Sequence, residues 1–130
     1  MTIGEEAFAL FKRAVETGEY QPMLDAMVED YKFVYPVPGS FHGENRGRDV
    51  FANYLQTTAA NLRPTLELYR TTHLGNITIF EFNVSGTLNE QSFQTSVAQV
   101  YEEKDGFLIG HQEYIGDLAP FMAMADKSKS

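Results

Sequence analysis

The chain reads as an α+β domain: three helices followed by a run of long antiparallel strands. Three observations predict it. Apolar residues recur at helical spacing up to Leu62, and Pro64 ends that pattern. From Thr65 to Gly116 the spacing is that of strands alone. Asp105-Gly106 supplies the positive φ that a hairpin turn between the last two strands needs. Long strands must bury one face on the helices. A strongly curved sheet closing over three helices would make a cone with a cavity at its wide end.

Thr2-Ile3-Gly4-Glu5 has the form of a capping box, so the first helix starts there, and Gly18 ends it. Ala7, Phe8, Phe11, Ala14 and Val15 form its inner face. Pro22 suits the first turn of a second helix, with Met23, Leu24, Met27 and Val28 as its buried stripe. Residues 31–35 alternate as a short strand with Tyr31, Phe33 and Tyr35 on one side. Residues 36–47, with two prolines and three glycines, read as a long loop of the kind found beside ligands. The third helix covers 48–62, with Phe51, Tyr54, Leu55 and Leu62 inward. Strands follow at 66–72, 76–86, 91–103 and 107–116, with turns at 74–76, 88–90 and 102–106. Residues 117–124 form a short apolar tail with one helical turn. A single domain spans 1–125, and 126–130 reads as a disordered tail.

Composition limits the function. With 130 residues the chain is long enough for a real core. Ten Phe and seven Tyr are many for that length, and aromatics line pockets as well as cores. A net charge of −8 argues against nucleic acid and against an anionic membrane surface as partners. No Cys is present, so no disulfide or thiolate chemistry is available. The N-terminus has early acids and no long apolar run, so no signal peptide is expected and cytoplasmic is the default location. No segment is long enough to span a bilayer. His42, His73 and His111 lie in separate elements, so no metal site is expected. Glycine-rich phosphate loops and a Ser-His-Asp constellation are missing too, and no cofactor is expected.

The residues with chemical potential sit in the last strands. Val97, Gln99 and Tyr101 share one strand face, and Phe107, Ile109, His111, Glu113 and Ile115 share another. His111 and Glu113 together could hold a proton near neutral pH, as acid/base work requires. Alternatively they mark an open sheet edge or a dimer contact. Glu81 lies in the nearly continuous apolar run Ile77-Thr-Ile-Phe-Glu-Phe-Asn-Val84. It must be paired, exposed, or protonated with a raised pKa. Gln99 is either a pocket donor or a buried amide bonded to its neighbours. Phe11, Tyr35 and Tyr54 are core aromatics that would also form a pocket wall, and the two tyrosines could place hydroxyls in it.

Several local motifs, in order, carry a family resemblance: Gly18-Glu19, Val28-Glu29-Asp30 leading to Tyr35-Pro36, Gly47-Arg48-Asp49-Val50, and Gly110-His-Gln-Glu-Tyr-Ile-Gly-Asp-Leu118. Across nearly the whole chain the sequence resembles the nuclear-transport-factor-2-like superfamily, within it the SnoaL-like and ketosteroid-isomerase-like proteins. The resemblance implies a cone-shaped, cystatin-like α+β barrel and a homodimer through the outer sheet face. The isomerase's general base falls on Tyr35, its oxyanion tyrosine on Phe11 and its oxyanion aspartate near Gln99. Tyr35 is a poor base at neutral pH and Phe11 cannot donate, so the resemblance does not extend to steroid isomerisation. The phenazine-biosynthesis A/B proteins look similar around Phe80-Glu81-Phe82-Asn83 and Gln112-Glu113-Tyr114, where the carboxylate matching Glu113 acts as acid/base. Limonene epoxide hydrolase also places an acid at the Glu113 position. Glu81 and Asn83 sit near its other acting residues, but no Arg matches.

The expectation is therefore a SnoaL-like protein that takes a small hydrophobic molecule into the cone, possessing the parts of an acid/base enzyme of isomerase, cyclase or hydratase type. Glu113 and Glu81 would be catalytic, with Gln99, His111, Tyr35, Tyr54, Phe11 and Asn83 against the ligand. The alternative is a non-catalytic interaction or ligand-carrier domain, which a cone filled by its own aromatics would favour.

Overall fold

A computed structural model describes residues 1–59, 62, 64–88 and 90–122, with the backbone alone at 58 and 59. The tail expected at 126–130 lies outside the described residues.

Helix α1 (Ile3–Thr17) opens on the capping box, with the Thr2 hydroxyl accepting from the Glu5 N–H and the Glu5 carboxylate accepting from the Thr2 N–H. Gly18 ends it in the left-handed conformation at φ 82°. The Glu103 carboxylate adds a bond from outside the helix, accepting from the Gly4 N–H and the Thr2 hydroxyl at 2.7 Å each. That contact ties the start of α1 to the sheet.

Helix α2 (Gln21–Asp25) is five residues, little more than one turn, with Pro22 in its first turn. Met27 and Val28, expected on its stripe, belong instead to strand β1 (Met27–Tyr35). Met27 is buried and pairs in parallel with Leu108 of the last strand, and that pairing overrides the helical reading. The expected loop at 36–47 holds a strand as well. Strand β2 (Gly43–Arg46) pairs antiparallel with the end of β1. Its residues are polar and half exposed, as suits an edge. Helix α3 (Arg48–Tyr54) passes into a π-helical turn, Leu55–Ala59, and Leu62 is helical again, so every described residue of the expected helix at 48–62 is helical.

The sheet runs β2-β1-β6-β5-β4-β3, with β3 (Thr65–Leu74), β4 (Ile77–Leu88), β5 (Gln91–Lys104) and β6 (Phe107–Ile115) as a meander. All neighbours pair antiparallel except β1 and β6, which run parallel. Register breaks occur in three ladders, and such bulges sharpen twist and bend. The hairpin turn places Asp105 at φ 53° and Gly106 at φ 82°, as its dipeptide predicts. The break between β5 and β6 skips Ile109, so the inward residue before it is Leu108, fully buried, and not Phe107, which is 48% exposed. The expected shared face of Phe107 and Ile109 with His111 and Glu113 is thus corrected. His111 and Glu113 remain inward.

The core fills the space between the curved sheet and the helices. Phe8 of α1 packs on Phe80 and Phe82 of β4, and Phe51 of α3 on Tyr31 and Phe33 of β1. These aromatic contacts hold both helices over the inner face, where the polar residues of interest lie.

Candidate functional site

Glu113 stands on the inner face of β6, 7% exposed, with Gln99 of β5 directly opposite in the ladder. Gln99 Nε2 donates to Glu113 Oε1 at 2.8 Å. The Tyr101 hydroxyl donates to Gln99 Oε1, also at 2.8 Å, which leaves the amide nitrogen for Glu113. The orientation of the carboxyl is therefore set by a two-bond chain of fully buried side chains. Burial raises the Glu113 pKa to about 7, and the single bond from Gln99 only partly opposes it. Among the described residues no cation forms an ion pair with Glu113.

Tyr35 and Tyr54 close in from β1 and α3, ring centroids 4.9 Å apart and edge to face. Burial and the Glu113 charge push both phenols upward, so both keep their protons. Phe11 of α1 completes this wall. Phe11, Tyr35, Tyr54 and Glu113 line one cavity of about 40 Å³, together with Phe82 and Phe121 among others. A single water occupies about 30 Å³ of liquid, and ligand pockets run to several hundred. The cone expected to hold a metabolite is thus filled largely by its own aromatic rings. A larger open groove of about 590 Å³ beside the end of α1 carries none of the expected site residues.

His111 is buried beside the same wall, but its chemistry differs from expectation. Its Nδ1 lies 2.6 Å from the Tyr31 hydroxyl, and it packs among Phe33, Phe51 and Tyr101. Burial drives its pKa down to about 3, so the ring is neutral and shares no proton with Glu113 near pH 7. Glu81 and Asn83 are not brought to the cavity. Phe80, Phe82 and Val84 take the inward positions of β4, and Glu81 and Asn83 project from the outer face. There Glu81 pairs with Arg70 Nε at 2.5 Å, and Asn83 accepts from the Ser96 hydroxyl at 3.2 Å. The pairing answers how a carboxylate survives in that apolar run. Its partner is a cation across the ladder.

Two residues were not anticipated at the site. Tyr101 shares a strand face with Gln99, and that parity was the available signal. Phe121 lies beyond the last strand, where no periodicity points inward. Among the described residues no three His, Asp or Glu cluster as metal ligands. Among the described residues no helix is long and apolar enough to cross a membrane.

No protein-family model matches the chain, and no curated protein matches it. Solved structures do. The chain is similar to an NTF2-like protein from Anabaena variabilis, at 25% identity and TM-score 0.81 over 88% of this chain and 87% of that one. It is similar to a Xanthomonas campestris protein of unknown function with a cystatin-like fold, at 16% identity and TM-score 0.77 over 90% and 92%. A candidate polyketide cyclase from the same species matches at 19% identity and TM-score 0.75 over 94% and 96%.

Proposed function

From the premise that this chain has the nuclear-transport-factor-2-like fold, a cystatin-like α+β cone, we propose that it binds a small hydrophobic molecule in the cone and exchanges a proton with it through Glu113. The observation that carries this reading is a buried carboxyl, with no cation partner among the described residues, on the wall of a cavity that it shares with Phe11, Tyr35 and Tyr54. An isolated ionisable group in an apolar interior costs stability that an amide or alkyl side chain would not. With a pKa near 7 it takes and gives a proton with equal ease, which isomerase, cyclase and hydratase steps all need. Tyr35 and Tyr54, kept protonated, are donors suited to an oxygen that gains charge as the proton leaves carbon. The likeness to a candidate polyketide cyclase supports carbonyl-bearing ligands as the first class to try.

A second reading rests on the small cavity: a ligand carrier or interaction domain that pairs through its outer sheet face. Tyr114, 52% exposed, lies on that face beside Ala98, in the cross-strand row that continues to Glu81 and Arg70. A homodimer through this row would cover it.

Thermal-shift screening against aromatic and alicyclic ketones separates the two. A ligand present at a hundred times its Kd stabilises by about 2.7 kcal/mol. The proposal expects at least one such ketone to raise Tm by several degrees. A panel with no shift, together with a dimer in solution, favours the second reading.

A further inference from the structure

The last segment supplies part of the cavity's wall. Strand β6 ends at Ile115, and the Gly116 N–H makes a last bond to the Ser96 carbonyl at 2.7 Å. The chain then leaves the ladder and makes one helical turn at 119–122, with the Phe121 and Met122 N–H groups donating to the Leu118 carbonyl. Ala119 and Met122 are exposed, yet Phe121 is only 3% exposed. Its ring forms part of the cavity wall, edge-on to Phe93 with centroids 5.4 Å apart. Among the described residues it is the only lining residue that comes from beyond the last strand. Among the described residues, one side chain of the sheet hydrogen-bonds the base of this strap. The Thr95 hydroxyl accepts from the Asp117 N–H at 2.9 Å and donates to the Asp117 carbonyl at 3.2 Å.

We propose that Phe121 is a built-in occupant of the ligand slot, and that the true ligand is a flat ring of phenyl size, bearing an oxygen at its Glu113 end, which takes the place of that ring. This inference rests on the reading of the cone as a ligand site and names the class of ligand. An apolar cavity of about 150 Å³ accepts a benzene ring. Withdrawal of the Phe121 ring joins its own volume to the existing 40 Å³ and leaves a slot of that order. Glu113, Tyr35 and Tyr54 line the same cavity and are its polar side chains. The strap can swing out without breaking a ladder, because among the described residues none past Gly116 pairs with a strand as part of the sheet.

Phenol is the probe, with binding followed by calorimetry and amide NMR on the whole protein. Phe121→Ala should lower the phenol Kd at least tenfold. Thr95→Val, which does not touch the cavity and only frees the strap, should lower it severalfold. Cyclohexanol, with the same oxygen on a puckered ring, should bind at least tenfold more weakly than phenol. If Phe121→Ala does not fold, Phe121→Leu carries the same expectation at smaller size. Phenol affinity within twofold of the parent in both the Phe121 and Thr95 variants would overturn the proposal, as would weaker binding in Thr95→Val. No proton transfer is needed for this binding. A Glu113 that plays no acid/base part would therefore leave the phenol result standing, and the two failures are distinguishable.

Discussion

At pH 8, Glu113→Gln is expected to unfold roughly 10 °C above the parent protein, an increase of about 3 kcal/mol, while the two differ little at pH 4.5. The sign follows from the proton. The native pKa of Glu113 is raised to about 7 by burial, against 4.5 for the free side chain. Below 4.5 the carboxyl is protonated in both folded and unfolded chains, and nothing is lost. Between 4.5 and 7 the native state holds a proton that the unfolded state releases, so stability falls as pH rises. Above 7 the loss is complete. The amide retains an oxygen to accept from Gln99, so the two-bond chain through Tyr101 survives the change. His111 acts in the opposite sense, since its native pKa is depressed to about 3. Its contribution is fully present above pH 6.5 and is lost as pH falls toward 3. Over the range from 4.5 to 6.5 the two groups offset each other in the parent. The variant shows the His111 slope alone, with stability rising to pH 6.5 and flat beyond. Chemical denaturation at four pH values reads this directly. The same substitution is expected to lower turnover of any ligand found by screening about 10²- to 10⁴-fold. Gain of stability with loss of activity is the signature of a residue retained for chemistry.

Gly110→Ala should cost about 3 kcal/mol, measured as a shift in the urea midpoint with unchanged slope. The cause is space rather than backbone conformation. A Cβ at Gly110 would stand 2.7 Å from the Lys32 carbonyl oxygen, a backbone atom that cannot rotate away. Lys32 and Gly110 face each other where β1 and β6 run parallel, and Phe33 and His111 are the next pair. Relief of the clash must separate the two strands that carry Tyr35 and Glu113. A change below 0.5 kcal/mol would mean that this junction is looser than its geometry.

The helix boundaries and the meander were legible because they depend on local chemistry: the Thr2-Glu5 box, Gly18, Pro64 and Asp105-Gly106. Glu113 was legible from strand parity counted back from Ile115. Parity fails across a bulge, so Phe107 and Leu108 exchange sides at Ile109, and nothing local marks that skip. Met27 and Val28 fit a helical stripe and a strand start equally well, and only the parallel pairing with β6 decides between them. Strand β2 has no apolar alternation because it is an edge with both faces wet. Glu81 needed its partner, and Arg70 is adjacent only once β3 and β4 are in register. Phe121 is the least legible of all, since its burial depends on a tail folding back to a sheet that one-dimensional patterns do not contain.

Proton exchange in the cone depends on a carboxyl in an apolar enclosure that titrates near neutrality. Carbon-13 NMR of the glutamate side chains, with Glu113→Gln to assign the resonance, measures that titration in the intact protein. A Glu113 midpoint close to pH 7 is the predicted result. A midpoint near 4.5, the value of a solvated glutamate, would contradict it.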